Sequence, residues 1–161
     1  FFPNGLYMIK YIHTKIKNPG NFANIVYKNF HYLVQYPELE HTEQEIFKLL
    51  TNDKSLIYLV YEKEMVIGYL IGEYKQLPDN RFVFYISYLY VVKRMRDKKI
   101  GSQLLKILIK KCINDGVAFI VLTCDSQDDR LMHFYNKFGF VLEPLYVNTA
   151  VGKHRVYTLF L

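Results

Sequence analysis

Leu89-Tyr90-Val91-Val92-Lys93-Arg94-Met95-Arg96-Asp97-Lys98-Lys99-Ile100-Gly101-Ser102 changes character twice along its length. Its first residues end the run Phe82 to Val92, which is apolar on both alternating faces and reads as a strand buried in the middle of a sheet. Five of the seven residues from Lys93 to Lys99 are then basic. From Ile100 the apolar residues return at helical spacing (Ile100, Leu104, Ile107, Leu108, Cys112), and Asn114-Asp115-Gly116 closes the helix. A basic cluster alone is most often a solvated turn. Between a buried strand and a helix start it is something more, because the unpaired amides of the first helical turn and the helix dipole both favour a bound anion there.

Working outward, Val117 to Cys124 is another buried strand, which makes a strand, crossover helix and parallel strand. Upstream, Leu6 to Ile12 reads as an edge strand. Asn18-Pro19-Gly20-Asn21 breaks the chain before a helical stretch near Phe22 to Gln35, which Tyr36-Pro37 should stop. Thr42-Glu43-Gln44-Glu45 has capping-box spacing and predicts a short helix to about Leu50. Ser55 to Tyr61 and Val66 to Tyr74, around Glu62-Lys63-Glu64, predict a hairpin. Downstream, Asp125 to Asp129 offers N-caps for a helix through Asn136 that Gly139 ends. Strands near Phe140 to Val147 and Arg155 to Leu161 follow. The expectation is one α/β domain over residues 1–161, without repeats or low-complexity tracts.

Composition excludes more than it selects. No apolar run approaches the roughly 20 uncharged residues of a membrane-spanning helix, and no signal-peptide pattern is visible. The chain starts Phe1-Phe2-Pro3, so a segment upstream would be invisible, and cytoplasm or nucleus is the expected compartment. Cys112 and Cys124 fall within the buried helix and strand, where packing is the default role. His13, His31, His41, His133 and His154 lack the close spacings of zinc ligands, so no metal is expected. A net charge of +6 favours an anionic partner without separating a nucleotide cofactor from an acidic peptide or nucleic acid.

Leu89-Tyr90-Val91 followed by Arg96-Asp97-Lys98-Lys99-Ile100-Gly101 resembles the signature of the GNAT N-acetyltransferase superfamily, a strand and then Arg/Gln-x-x-Gly-x-Gly/Ala. Asp128 to Tyr135, followed by Asn136-Lys137-Phe138-Gly139-Phe140, is similar to the family's second stretch, an Asn, a Tyr seven residues later and a closing Gly-Phe. The resemblance is close from about Leu56 onward and only topological before it. It implies a mixed sheet of about six or seven strands flanked by about four helices. It implies acetyl-CoA, with the pyrophosphate on Arg96, Asp97, Lys98, Lys99, Ile100, Gly101 and Ser102. Backbone groups of the strand carrying Leu89, Tyr90 and Val91 take the pantetheine arm and thioester oxygen, and Asp128 and Tyr135 also lie against the cofactor. Two departures stand out: the family's first Gly is Lys99, with Asp97 as its neighbour, and the family's Asn is Asp128.

Acetyl transfer to an amine needs a neutral amine, a polarised carbonyl and a proton for the departing thiolate. By resemblance Tyr135 gives that proton. Periodicity alone would read Phe134, Tyr135 and Phe138 as a core stripe. The glutamates that many family members place on the central or following parallel strand are Tyr85 and Thr123 here. Tyr85-Ile86-Ser87-Tyr88-Leu89 is similar to the protein N-terminal acetyltransferases, in which a Tyr-Ile-x-x-Leu strand supplies a catalytic tyrosine; Tyr85 would be that residue. Those enzymes pair it with a His where this chain has Thr123, leaving a water chain from Tyr85 as the proposed base. An α-amine titrates near about 7.7 to 8.0 and a lysine near about 10.4, so a weak base favours α-amine acceptors. Glu73 is the acid that could serve lysine or polyamine chemistry. A C-terminal hairpin, Leu145-Tyr146-Val147 to Val156-Tyr157-Thr158, could close over a peptide, which makes Tyr146 and Tyr157 substrate-side candidates; two edge strands fit the same pattern.

The leading expectation is therefore direct acetyl transfer to a peptide N-terminal α-amine. A lysine, polyamine or other small-molecule acceptor stays open, as does a non-catalytic acyl-CoA-binding module, suggested by Lys99, Asp128 and the missing acid. A nucleic-acid surface built from the basic loop and the tyrosines is disfavoured, because the aromatic residues fall at strand positions. Neither nucleic acid nor membrane is an expected partner.

Overall fold

The computed structural model describes residues 8–13, 16–142 and 154–161, the first stretch as backbone. In chain order the elements are β1 (Met8–His13), α1 (Pro19–Asn29), a 3-10 turn (His31–Gln35), α2 (Glu43–Thr51), β2 (Ser55–Glu62), β3 (Met65–Gln76) and β4 (Phe82–Val91). A second 3-10 turn (Lys93–Met95), α3 (Ile100–Asn114), β5 (Phe119–Asp125), α4 (Asp129–Lys137), β6 (Val141–Leu142) and β7 (His154–Phe160) complete it. The strands form one sheet in the order β1-β2-β3-β4-β5-β7-β6, with β4 fourth, as its two-faced apolar run requires. β4 pairs antiparallel with β3 and parallel with β5, and α3 is the crossover. Strand, helix and parallel strand thus stand as the sequence led us to expect, within the α/β architecture expected for the whole chain.

Two apolar layers sandwich the sheet. On one face Leu56, Leu70, Phe84 and Ile86 pack with Leu104, Leu105 and Leu108 of α3 and with Tyr135 and Phe140. On the other, Ile57, Leu59, Ile71 and Tyr88 pack with Phe22 and Val26 of α1 and Ile46 and Leu50 of α2. Each such side chain contributes about 1.5–3 kcal/mol when fully buried. Among the described residues no helix is long and apolar enough to cross a membrane.

The local signals differ in how well they survive. The capping box forms: Glu45 N–H donates to Thr42 Oγ1 at 3.1 Å and Thr42 N–H to Glu45 Oε1 at 3.2 Å. The helix expected over Phe22 to Gln35 is corrected at both ends. It starts at Pro19, because a proline at the first helical position loses no hydrogen bond. It stops at Phe30, whose ring packs on Tyr88 at 4.8 Å between centroids, while His31 Nδ1–H donates to the Lys28 carbonyl at 2.9 Å and the chain tightens into the 3-10 turn. The C-terminal strands are β6 and β7; Tyr146 and the connection between them lie outside the described residues.

One irregularity positions everything else. Ile71 pairs with Tyr88 but Gly72 pairs with Ile86, so β4 carries Ser87 as an extra residue. Gly72 makes this possible: a Cβ there would overlap the Tyr85 carbonyl oxygen and the Phe84 ring. Gly72→Ala is expected to cost about 1–3 kcal/mol of unfolding free energy in urea denaturation, as overpacking does in a close-packed sheet. An unchanged midpoint would show that the bulge has room to relax.

Candidate active site

β4 and β5 pair only from Val83 and Phe119 to Tyr85 and Val121. Beyond that point β5 continues as partner of β7, from Leu122 opposite Tyr157 to Asp125 opposite His154, and the two central strands diverge. The Val92 amide donates to the Ile67 carbonyl at 2.8 Å, so the alternation of an antiparallel ladder turns Tyr90 toward β3 and aims the backbone groups of Leu89 and Val91 into the gap.

Two cavities occupy that gap. The smaller, ≈ 340 Å³, lies between Leu89, Val91, Met95, the loop residues Arg96, Asp97 and Lys99, the first residues of α3, and Phe134. The larger, ≈ 580 Å³, is walled by β4 from Tyr85 to Leu89, β5 from Leu122 to Asp125, and the segment from Phe30 to His41. They share Leu89, Leu131 and Tyr135, so Tyr135 stands at their junction. Burial pushes its phenol well above the usual tyrosine range, and it holds its proton at neutral pH.

The smaller cavity fits a pyrophosphate-bearing cofactor on the chemistry of its wall. The N-terminus of α3 has no side-chain cap, so its first amides are available to an anion, with Arg96 and Lys99 beside them. The sequence departures are accommodated. Lys99 has φ 63°, the left-handed conformation that the family's glycine takes without strain, and Asp97 has φ 67°. Asp97 is paired with Arg130, which holds its carboxyl below the usual carboxylate range and offsets its charge. Arg96 is doubly held: its Nε donates to the Val91 carbonyl at 2.9 Å and its guanidinium lies over the Tyr90 ring at 5.6 Å.

Some expected site residues stand elsewhere. Tyr90 faces the opposite layer, 5.4 Å from Tyr69, and Lys98 is not on the cavity wall. Asp128 caps α4, accepting from the Leu131 amide at 3.0 Å, and lines the larger cavity; an Asn would cap equally well. Tyr157 is buried in the core beside α4 rather than on a cavity wall. Glu73 pairs opposite Tyr85 but is 3.6 Å from Lys75 Nζ and off the wall. Tyr85 does line the larger cavity, sharing a 3.3 Å hydrogen bond with Thr123 across the diverging strands.

The segment before α2, which carried no readable motif, supplies one wall of that cavity. Phe30, Tyr32, Tyr36, Glu38 and His41 all face it, and His41 Nδ1 lies 2.6 Å from the Tyr88 hydroxyl. Among the described residues the charged ones on this wall are Glu38, Asp125 and Asp128, beside the imidazoles of His41 and His154, and neither Lys nor Arg is among them. Cys124 also lines it, but burial pushes its thiol up to about 12, so it is not a thiolate nucleophile at neutral pH. Among the described residues no group of three or more His, Cys, Asp or Glu could hold a metal ion.

Lys99→Gly is expected to raise unfolding free energy by about 0.5–1 kcal/mol, the relief of left-handed strain less the entropy of a glycine. Urea denaturation of the two proteins without ligand measures it. A loss of stability would mean that the Lys99 side chain contributes more than its backbone costs.

A family model described as the acetyltransferase (GNAT) family matches residues 22–140. No curated protein sequence matches the chain. Among solved structures, Arabidopsis thaliana NAA60 in complex with a bisubstrate analogue superposes with TM-score 0.73 at 12% identity, over 95% of this chain and 98% of that one. Arabidopsis thaliana Naa50 with the bisubstrate analogue CoA-Ac-MVNAL gives 0.71 at 15%, over 97% and 99%. An aminoglycoside acetyltransferase from an uncultured soil metagenomic sample, in complex with trehalose, gives 0.65 at 15%, over 84% and 89%. At these identities the structures share the fold. The matched segment contains the diverging strands, the anion loop and the junction tyrosine, and the chain belongs to the GNAT acetyltransferase family, acyltransferases whose donor is acetyl-CoA.

Proposed function

We propose that this protein transfers an acetyl group from acetyl-CoA directly to the α-amine of a protein or peptide N-terminus. The observation that carries the reading is the meeting of two cavities at Leu89, Leu131 and Tyr135, one beside a basic helix N-terminus and one walled by aromatic and acidic side chains. Bound in the first, the cofactor supplies an activated acetyl group and a thiolate leaving group. Arg96, Lys99 and the first amides of α3 would hold its phosphates, and the backbone of Leu89 and Val91 its pantetheine arm. Tyr135, kept protonated by burial, would give its proton to the departing sulfur.

Direct transfer is favoured because the cysteine on the acceptor side is held neutral, leaving no activated thiolate for an acyl-enzyme. A cationic acceptor suits a wall whose fixed charges are Glu38, Asp125 and Asp128. An α-amine suits it best, because Glu73, the acid expected to serve lysine, stands off the wall, and an α-amine, titrating near about 7.7 to 8.0, gives up its proton more readily than a lysine. Two of the fold neighbours are N-terminal acetyltransferases, one bound to a CoA-peptide conjugate, which is consistent with the same acceptor class. Tyr85, bridged to Thr123, would order water next to the incoming amine.

Free-thiol release from acetyl-CoA, measured against an N-terminal peptide library, spermine and a histone-tail peptide blocked at its α-amine, tests this. Turnover is expected with α-amine peptides, falling by roughly 10²-fold or more in Tyr135→Phe and in Tyr85→Phe. Turnover on spermine or the blocked peptide alone would move the acceptor to side-chain or small-molecule amines. Acetyl-CoA binding with no release on any acceptor would favour a non-catalytic module.

A further inference from the structure

The reaction leaves a proton to be accounted for. An acceptor amine that arrives as an ammonium must lose one before its nitrogen can attack, and the cavity's phenols cannot keep it, since a neutral phenol is an acid and not a base. Tyr88, like Tyr135, is pushed above the usual tyrosine range, chiefly by burial and then by the negative charge of Glu45. The carboxylates on the wall are weak bases, and Asp125 and Asp128 each spend an oxygen on a backbone amide, of Gln127 at 2.9 Å and Leu131 at 3.0 Å. Imidazole is the side chain matched to this task near neutrality.

Among the described residues two imidazoles reach the cavity. His154 sits edge-on to Tyr36, 5.0 Å between centroids, with a buried Nδ1 that has no hydrogen-bond partner among the described residues. His41 is wired in: its Nδ1 is 2.6 Å from the hydroxyl of Tyr88, one residue beyond the β4 bulge and next to Leu89 at the cavity junction. The pair is rigidly mounted. Phe30 packs on Tyr88 at 4.8 Å, the His41 ring packs edge-on to the Tyr88 ring at 5.8 Å, and the capping box of α2 begins at the next residue, Thr42.

We infer that Tyr88 and His41 form the proton exit for the acceptor amine, a role that rests on the acetyl-transfer reading above. Tyr88 donates its O–H to Nδ1 of a neutral His41 that carries its own hydrogen on Nε2. The ammonium releases one proton through water to the Tyr88 oxygen as Tyr88 passes its hydroxyl proton to Nδ1. Tyr88 ends neutral, the amine ends neutral with its lone pair available, and His41 ends as the imidazolium, which returns the proton to solvent. Tyr88 is the catalytic residue of this pair and His41 acts through it. The titratable groups around them are Tyr85 on β4, Glu45 on α2, and Glu38 on the same cavity wall.

The test is the pH dependence of turnover on an α-amine peptide, between about pH 6 and 9, for wild type, His41→Gln, Tyr88→Phe and the double variant. Rates should rise with pH as the imidazole loses its proton. His41→Gln should lose that acidic limb and roughly 10²-fold in kcat while KM for acetyl-CoA holds; Tyr88→Phe should lose as much, and the double variant no more. A raised acceptor KM with kcat intact, or losses that multiply, would overturn the relay in favour of a packing role. Independently of turnover, the His41 ring signals in NMR spectra of the acetyl-CoA-bound protein should respond to pH, and that response should differ in Tyr88→Phe. A His41 that keeps one charge state, or ignores Tyr88→Phe, overturns the proposal. Failure of every peptide to turn over would instead defeat the α-amine reading, and the titration alone would then decide the pair.

Discussion

The divergence of β4 from β5 beyond Tyr85 and Val121 is the constraint on which the site depends. Backbone amides and carbonyls in the middle of a sheet are normally spent on neighbouring strands. Here β5 stays paired with β7 along its whole length while parting from β4 after Val121, and the extra residue at Ser87 re-aims β4, so the groups of Leu89 and Val91 face a cavity instead of a strand. Gly72 is the small residue that admits this bend, since the Tyr85 carbonyl lies where its side chain would be. The bulge also sets which face each β4 residue meets. Phe84 and Ile86 point to the α3 layer, and Tyr88, two residues past Ile86, points to the α1 and α2 layer, where His41 waits.

Charge is divided between the two cavities in a chain of net charge +6. The smaller cavity gathers Arg96 and Lys99 around an uncapped helix start, and its acid, Asp97, is tied to Arg130. On the larger cavity the fixed charges among the described residues are carboxylates. Lys99 shows how a departure from a family pattern can keep the geometry that the pattern encodes. The backbone adopts the left-handed turn at some cost in strain, and the loop gains a cation where a glycine would offer none.

Aromatic packing joins the sides. Arg96 lies over Tyr90; Tyr90 packs against Tyr69 and Phe30; Phe30 packs against Tyr88, which bonds His41. Part of the tyrosine content thus serves as mounting for polar groups at its two ends. Burial that makes these rings good mounts also keeps the phenols of Tyr69, Tyr88 and Tyr135 neutral, so none of them rests as a phenolate.

Short-range patterns settled much from the sequence alone. The two-faced apolar run of β4, the basic turn before Ile100, the helical spacing to Cys112 and the Thr42 to Glu45 box each encode their element in contiguous residues, and each formed. Hence the fold class and the smaller cavity were legible, since the strand, loop and helix N-terminus that build that cavity are adjacent in the chain. The larger cavity was not. It is assembled from residues far apart in sequence, Phe30 to His41 against Tyr85 to Tyr88 and Leu122 to Asp125, and no local periodicity records which of them will meet. Phe30 ended a helix that propensity would have continued, because its ring found Tyr88; His41 looked like an isolated histidine until the bulge brought the Tyr88 hydroxyl to it. Tyr157, at an alternating strand position, went to the core and not the cavity. Local spacing fixes elements, but contacts between distant segments follow from how the faces of the sheet are covered, which only the packed chain decides.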